Sequence, residues 1–150
     1  MKQRIDEFEL VLNKLDVLFA ANAIVDFETK QTAASWSKKE ILGHLIDSAI
    51  NNLQRFTEIQ YSEKPYRIRS YNQDELVKAN DYQNKNIQDL FNLLITLNWH
   101  IVYLIKNQSE ETLKYEIILP NQTVTDLRFV MEDYIDHFYH HLNQINPQWT

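Results

Sequence analysis

The first feature of this sequence that could do chemistry is a pair of histidines at helical spacing. His137 and His141 stand four residues apart in Tyr134-Ile135-Asp136-His137-Phe138-Tyr139-His140-His141. On a helix that spacing stacks two imidazoles on one face, so both rings can converge on a single metal ion, as they do in HExxH helices. At about 100° per residue, Leu127, Val130, Tyr134, Phe138, His141 and Ile145 share one face, with His137 at its edge. His140 falls further round, towards Asp133 and Asp136, on the polar side. His100 falls off the apolar face of its own segment and reads as a surface residue. A third imidazole, His44, lies about six residues, or about 9 Å, into an earlier helix. The midpoint of His137 and His141 lies about six residues before the end of the last one. If those two helices run antiparallel, all three rings reach one level near one end of a bundle. Three imidazoles leave a fourth tetrahedral position open to water or substrate, the pattern of a reactive site rather than a structural one.

Other chemistries are closed off by composition. The chain has no cysteine, which removes disulfides, thiolate nucleophiles and CxxC redox motifs, so any metal must sit on imidazole or carboxylate. A single glycine leaves no GxGxxG or GxxxxGK[ST] loop to cradle phosphates. The same scarcity disfavours a sheet-rich fold, whose tight turns lean on glycine. Net charge is −6 with no basic run, which argues against a nucleic-acid partner. The N-terminus, Met1-Lys2-Gln3-Arg4-Ile5-Asp6, lacks a signal-like apolar core, and no stretch approaches the roughly 18 apolar residues of a membrane span. The expected location is therefore the cytoplasm, with no membrane partner. At 150 residues and 44 % hydrophobic, the chain suits one domain with a real core.

Helical periodicity supplies the elements that must position the histidines. Ile5, Phe8, Leu12, Leu15 and Phe19 mark a first helix from about Ile5 to Ala21. A polar connection follows, ending at Ser35-Trp36-Ser37. Ser37 with Glu40 reads as a capping box that starts a second helix near Lys38, continuing to about Ile59. Pro65 lies in a loop from Tyr61 to Tyr71, and a short helix is expected over Asp74 to Tyr82. Ile87, Leu90, Phe91, Leu94, Leu97, Ile101 and Ile105 mark a third long helix ending near Lys106. Around Pro120-Asn121 the chain reads as extended, with Ile117 to Leu119 strand-like. The fourth long helix is expected from near Val124 to about Ile145, with Thr123 and Asp126 as start signals. The fold class is all-α, a four-helix bundle with long connections whose connectivity need not be simple up-and-down. The second helix carries two stripes, polar His44, Asp47, Ser48, Asn51, Asn52 and Arg55, and apolar Leu42, Ile46, Ala49, Ile50, Leu53 and Phe56. The polar stripe either faces water or, in part, lines a polar cavity around a metal, and periodicity favours neither.

Two stretches resemble a known family. Trp36-Ser37-Lys38-Lys39-Glu40-Ile41-Leu42-Gly43-His44-Leu45-Ile46-Asp47-Ser48, followed by Asn52 and Arg55-Phe56, is similar to the second helix of DinB/YfiT-like proteins. Tyr134 to Ile145, with its HxxxH pair, resembles the last helix of the same family, in the expected order and at a compatible separation. The resemblance implies a divalent metal, nickel or zinc, held by His44, His137 and His141, and a homodimer. It also implies chemistry of one of two kinds. One is S-transfer from a low-molecular-weight thiol, such as bacillithiol, to an electrophile; the other is hydrolysis by metal-activated water. Fold likeness does not choose the reaction, and a non-catalytic, stress-related binding bundle is the third possibility.

In the transferase reading the metal lowers the pKa of a bound thiol, and no protein cysteine is needed. Arg55 would steady a carboxylate of thiol or substrate, Asp47 would orient a ligand or water from behind the metal, and Trp36 would wall the cavity. Each has an ordinary alternative: a surface ion pair for Arg55, a solvated helix position for Asp47, and simple packing beside a helix start for Trp36.

Overall fold

The computed structural model describes residues 1–21 and 26–149. The first residues of the polar connection after the first helix, 22–25, lie outside the described residues. Four long helices carry the fold: α1 (Lys2–Ala20), α2 (Lys38–Glu58), α4 (Ile87–Lys106) and α5 (Leu127–Ile145), with a short α3 (Gln73–Ala79) between the second and third. Three short strands, β1 (Tyr66–Arg67), β2 (Glu116–Ile118) and β3 (Val124–Asp126), complete it.

Side-chain caps set the helix starts. Ser37 accepts from the Glu40 N–H at 3.1 Å while the Glu40 carboxylate accepts from the Ser37 N–H at 2.8 Å, the reciprocal capping box expected for α2. Asn86 accepts from the N–H groups of Gln88 and Asp89 and starts α4. The last long helix begins at Leu127, three residues later than expected. Asp126 is its N-cap, accepting from the Phe129 N–H at 2.8 Å, and Val124–Asp126 instead pairs with β2. The short helix is also offset from its expected span of Asp74 to Tyr82. Asn72 caps its start, and Asp81, in the left-handed region at φ 51°, breaks it before the 3₁₀ turn Tyr82–Asn84.

Contacts between the helices give their directions. Phe19 stacks on Phe91 at 3.7 Å while Lys106 pairs with Glu9, so α1 and α4 run antiparallel. Met1 pairs with Glu132, Arg4 with Asp136, and Lys14 donates to the Gln148 carbonyl, so α1 and α5 run parallel. His44 meets His137 and His141 while Phe56 meets Tyr134, so α2 and α5 are antiparallel. The result is up-down-down-up, with neighbours in the order α1, α4, α2, α5. Parallel neighbours α2 and α4 need a long return, and residues 59–86 supply it with β1 and α3.

The apolar face expected for α1 is buried throughout, at Ile5, Phe8, Leu12, Leu15 and Phe19. The second helix departs from a one-sided pattern. Every residue from Leu42 to Ala49 is buried, His44, Asp47 and Ser48 included, whereas Ile50 of its apolar stripe is 46 % exposed. Residues Asn80 and Tyr82, after α3, cover the side that would otherwise meet water. Gly43 makes this possible: a Cβ there would lie 2.1 Å from the Tyr82 ring.

The strands form one sheet in the order β1-β2-β3, parallel then antiparallel, with Tyr66 opposite Ile117 and Ile117 opposite Thr125. Its β2–β3 turn needs no glycine, because Gln122 takes the left-handed position at φ 68°. Among the described residues, no helix is long and apolar enough to cross a membrane.

Candidate metal centre

Near the N-terminal part of α2, three imidazoles meet. His44 on α2 and His137 on α5 bring their Nε2 atoms to 3.1 Å. Ring centroids are 5.0 Å apart for His44 and His137, and 4.5 Å for His44–His141 and His137–His141. One ring nitrogen from each lies within 4.8 Å of the other two, a grouping that could hold a metal ion. His44 is almost wholly buried at 1 % exposure, and the other two are half-buried.

The donor set fits a divalent metal. Two nitrogens each bonded at about 2.0–2.1 Å to a tetrahedral zinc stand about 3.3 Å apart, close to the observed Nε2 pair. Neutral imidazole is the ligating form, and the surroundings enforce it. Burial, then the charges His141 and His137 would carry, lower the His44 pKa to about 3. Burial, then His141 and His140, lower His137 to about 4. Burial likewise lowers His141, and the bond to Gln144 only partly offsets it. His141 Nδ1 donates to Gln144 Oε1 at 2.9 Å, which leaves its Nε2 lone pair free. His137 Nδ1 lies 3.4 Å from the Ser48 hydroxyl. His44 Nδ1 is buried without a hydrogen-bond partner among the described residues.

The other residues singled out in the sequence surround this cluster in different ways. Trp36 packs its ring centroid 5.0 Å from that of His44, tilted by 36°, but it does not line the cavity beside His137. Asp47 is not a solvated helix position: it is 3 % exposed, and its Oδ1 accepts from the Tyr82 hydroxyl at 2.6 Å and from Asn80 at 2.7 Å. Its Oδ2 is buried without a partner, and burial raises its pKa. Among the described residues Arg55 forms no ion pair. Its Nη2 donates to the Arg69 carbonyl at 2.8 Å and its guanidinium lies 5.4 Å from the Tyr71 ring centroid. His100 is exposed and stacks against Tyr103, and His140 is exposed beside Gln144.

A cavity of about 500 Å³ opens beside His137. Ser48, Asn52 and Arg55 of α2, Tyr71, and Asp133 and Tyr134 of α5 face it, with the β2–β3 turn at Leu119-Pro120-Asn121 as one wall. Part of the polar stripe of α2, Ser48, Asn52 and Arg55, thus lines a cavity, while Asp47 lies under Tyr82 and Asn80. Sequence reasoning missed Tyr71, Asp133 and Tyr134. Tyr71 sits in a loop without periodicity. Asp133 precedes His137 by one helical turn, the one signal available, but its neighbour Asp136 suggested a wet face. Asp133 is in fact exposed, and partial desolvation and the nearby Asp136 hold its carboxyl above its usual range at the cavity rim. Tyr134 donates to Asn98 at 2.6 Å, which fixes its ring in the wall.

Over 97 % of its length the chain matches the structure of YfiT from Bacillus subtilis, a probable metal-dependent hydrolase with an unusual four-helix bundle topology. The TM-score is 0.81 at 21 % identity, covering 83 % of that chain. It also matches the mycothiol-dependent maleylpyruvate isomerase, at TM-score 0.70 and 14 % identity, and a histidine-to-alanine mutant of that enzyme, at 0.70 and 13 %. The chain spans 60 % of the isomerase's length. Neither a family model nor a curated protein matches the sequence. The fold is a four-helix bundle like that of YfiT.

Proposed function

We propose that this chain is a metal-dependent enzyme that transfers a low-molecular-weight thiol to an electrophile, with nickel or zinc held by His44, His137 and His141. The observation that carries this reading is the convergence of three imidazoles, one buried and two half-buried, with His137 opening on a cavity of about 500 Å³. Bound there, the metal would supply Lewis acidity that lowers the pKa of a coordinated thiol. The chain's own residues would do the rest. Gln144 fixes the His141 tautomer through its amide oxygen. Trp36 packs against one side of the His44 ring. Asp47 is a positioning residue, held by Tyr82 and Asn80 one turn along α2 from His44. Arg55 offers a cation at the far side of the cavity for a carboxylate of thiol or substrate.

A hydrolase is the second reading, favoured by one observation. Asp133 brings a carboxylate of raised pKa to the cavity rim, where it could take a proton from water. Thiol dependence of turnover separates the two, as does Asp133→Asn, which would abolish hydrolysis and leave S-transfer largely intact.

Elemental analysis of untagged protein tests the metal first. About one nickel or zinc per chain is expected, lost in His44→Ala and His141→Ala, because two imidazoles alone hold such ions weakly. No metal uptake by the parent at neutral pH would overturn both enzymatic readings and leave a binding bundle. We also read the chain as a homodimer. Leu10 and Val17, 69 % and 70 % exposed and seven residues apart on one face of α1, support pairing. Sedimentation at twice 18.0 kDa would bear this out.

A further inference from the structure

A second cleft, of about 730 Å³, opens where α2 ends and β1 begins. Arg55, Arg67 and Arg69 line it, three of the five arginines in a chain of net charge −6. None of the three forms an ion pair among the described residues. Two acidic residues share the lining, Glu58 and Glu63. Glu58 is already engaged, accepting from the Tyr66 hydroxyl and from Gln54 at 2.7 Å each, bonds that hold its carboxyl below the usual range. Arg67 and Arg69 are exposed, with their guanidinium groups available to a ligand.

Arg55 joins this cleft to the histidine cavity, because it lines both. Its bond to the Arg69 carbonyl straps the segment carrying Arg67 and Arg69 against α2. Along α2, Arg55 lies eleven residues beyond His44, about 16 Å at 1.5 Å per residue. A molecule reaching from the histidines past Arg55 is therefore elongated, and its far end meets guanidinium groups. Such groups bind carboxylate or phosphate oxygens in pairs, through two parallel N–H donors.

We propose that the Arg67–Arg69 cleft binds the anionic end, carboxylate or phosphate, of an elongated small molecule whose reactive end reaches His44, His137 and His141. The placement of the reactive end rests on the thiol-transfer reading; the anion site itself does not. Isothermal titration of the full chain with citrate, and separately with inorganic phosphate, at low ionic strength tests it. Saturable binding is expected for at least one anion. It should weaken about tenfold in the Arg67→Gln/Arg69→Gln double variant, the effect of losing a charge-assisted hydrogen bond. Added salt should weaken it too, and His44→Ala should leave it unchanged. Both arginines are exposed, so an unaltered melting temperature would show the double variant folded. Binding of citrate alone identifies a carboxylate site, and of phosphate alone a phosphate site. Binding of neither, or binding indifferent to the double substitution, overturns the proposal. A chain that binds citrate through these arginines yet takes up no metal would keep the anion site while removing the thiol-transfer reading.

Discussion

At the residue scale, the features that disfavour charge on the imidazoles are the ones that prepare them for a metal. Protons and metal compete for the same nitrogen lone pairs. In an exposed HxxxH pair that competition begins near the ordinary histidine value of about 6.5. Here burial and mutual repulsion depress His44 to about 3 and His137 to about 4. At these two histidines protons therefore compete only as the pH approaches those values. We expect nickel uptake by equilibrium dialysis to decline at lower pH than in an exposed HxxxH pair while the fold persists. Occupancy halved by about pH 6 in still-folded protein would contradict the depressed values. The orphaned Nδ1 of His44 and Oδ2 of Asp47 belong to the same scale. Each is a buried polar atom without a partner, which a fold retains at a cost unless a ligand or water meets it.

At the element scale, the least replaceable position is Gly43. Its missing side chain lets the Tyr82 ring lie against α2, and Tyr82 in turn holds Asp47. Gly43→Ala ordinarily favours a helix by about 1 kcal/mol. Here the added Cβ would stand 2.1 Å from the ring, and the clash lies in the ring's fixed part rather than at a flexible tip. We expect a net loss of about 1–3 kcal/mol in urea unfolding, with Tyr82 displaced from Asp47. A stabilised variant would show that the 3₁₀ turn yields freely. The reading of elements from sequence succeeded where one helix makes one rule decisive. The α1 face, the Ser37–Glu40 box and the Ile87–Lys106 span follow from local spacing and capping alone. The metal cluster was legible for a related reason, since His137 and His141 share a helix and His44 sits at a height that an antiparallel partner must match. What stayed hidden depends on contacts between distant segments. The burial of α2's polar stripe required α3 and Tyr82 to cover it. Three residues assigned to the start of α5 were taken by β2, because Asp126 caps the helix only from Leu127 onward. Scarce glycine did not forbid that sheet, because Gln122 supplied the left-handed turn position.

At the scale of the whole molecule, the three histidines join two antiparallel helices, α2 and α5, that are far apart in sequence. Unfolding must separate them, so a metal held between them would bind the folded chain and not the unfolded one. Its contribution to stability then grows with free metal over its dissociation constant, reaching about 2.7 kcal/mol at a hundredfold excess. For a chain of this size that raises the melting temperature by roughly 5–10 °C. The pH dependence of the metal-free protein runs with a definite sign. His44 and His137 bind protons less readily folded than unfolded, so stability is fully present above the unfolded value of about 6.5. It is lost as pH falls from there towards the folded values of about 4 and about 3. Metal-free protein should therefore melt at progressively lower temperature below about pH 6.5, whereas metal-loaded protein should resist that decline, because metal and protons exclude each other at the same nitrogens. Scanning calorimetry on loaded and chelator-treated samples across that range measures both effects. His44→Ala removes one ligand and one buried imidazole, so it should erase the gap between loaded and stripped protein and make the acid slope shallower, leaving the His137 contribution. A gap that survives His44→Ala would put the stabilising metal somewhere other than between α2 and α5.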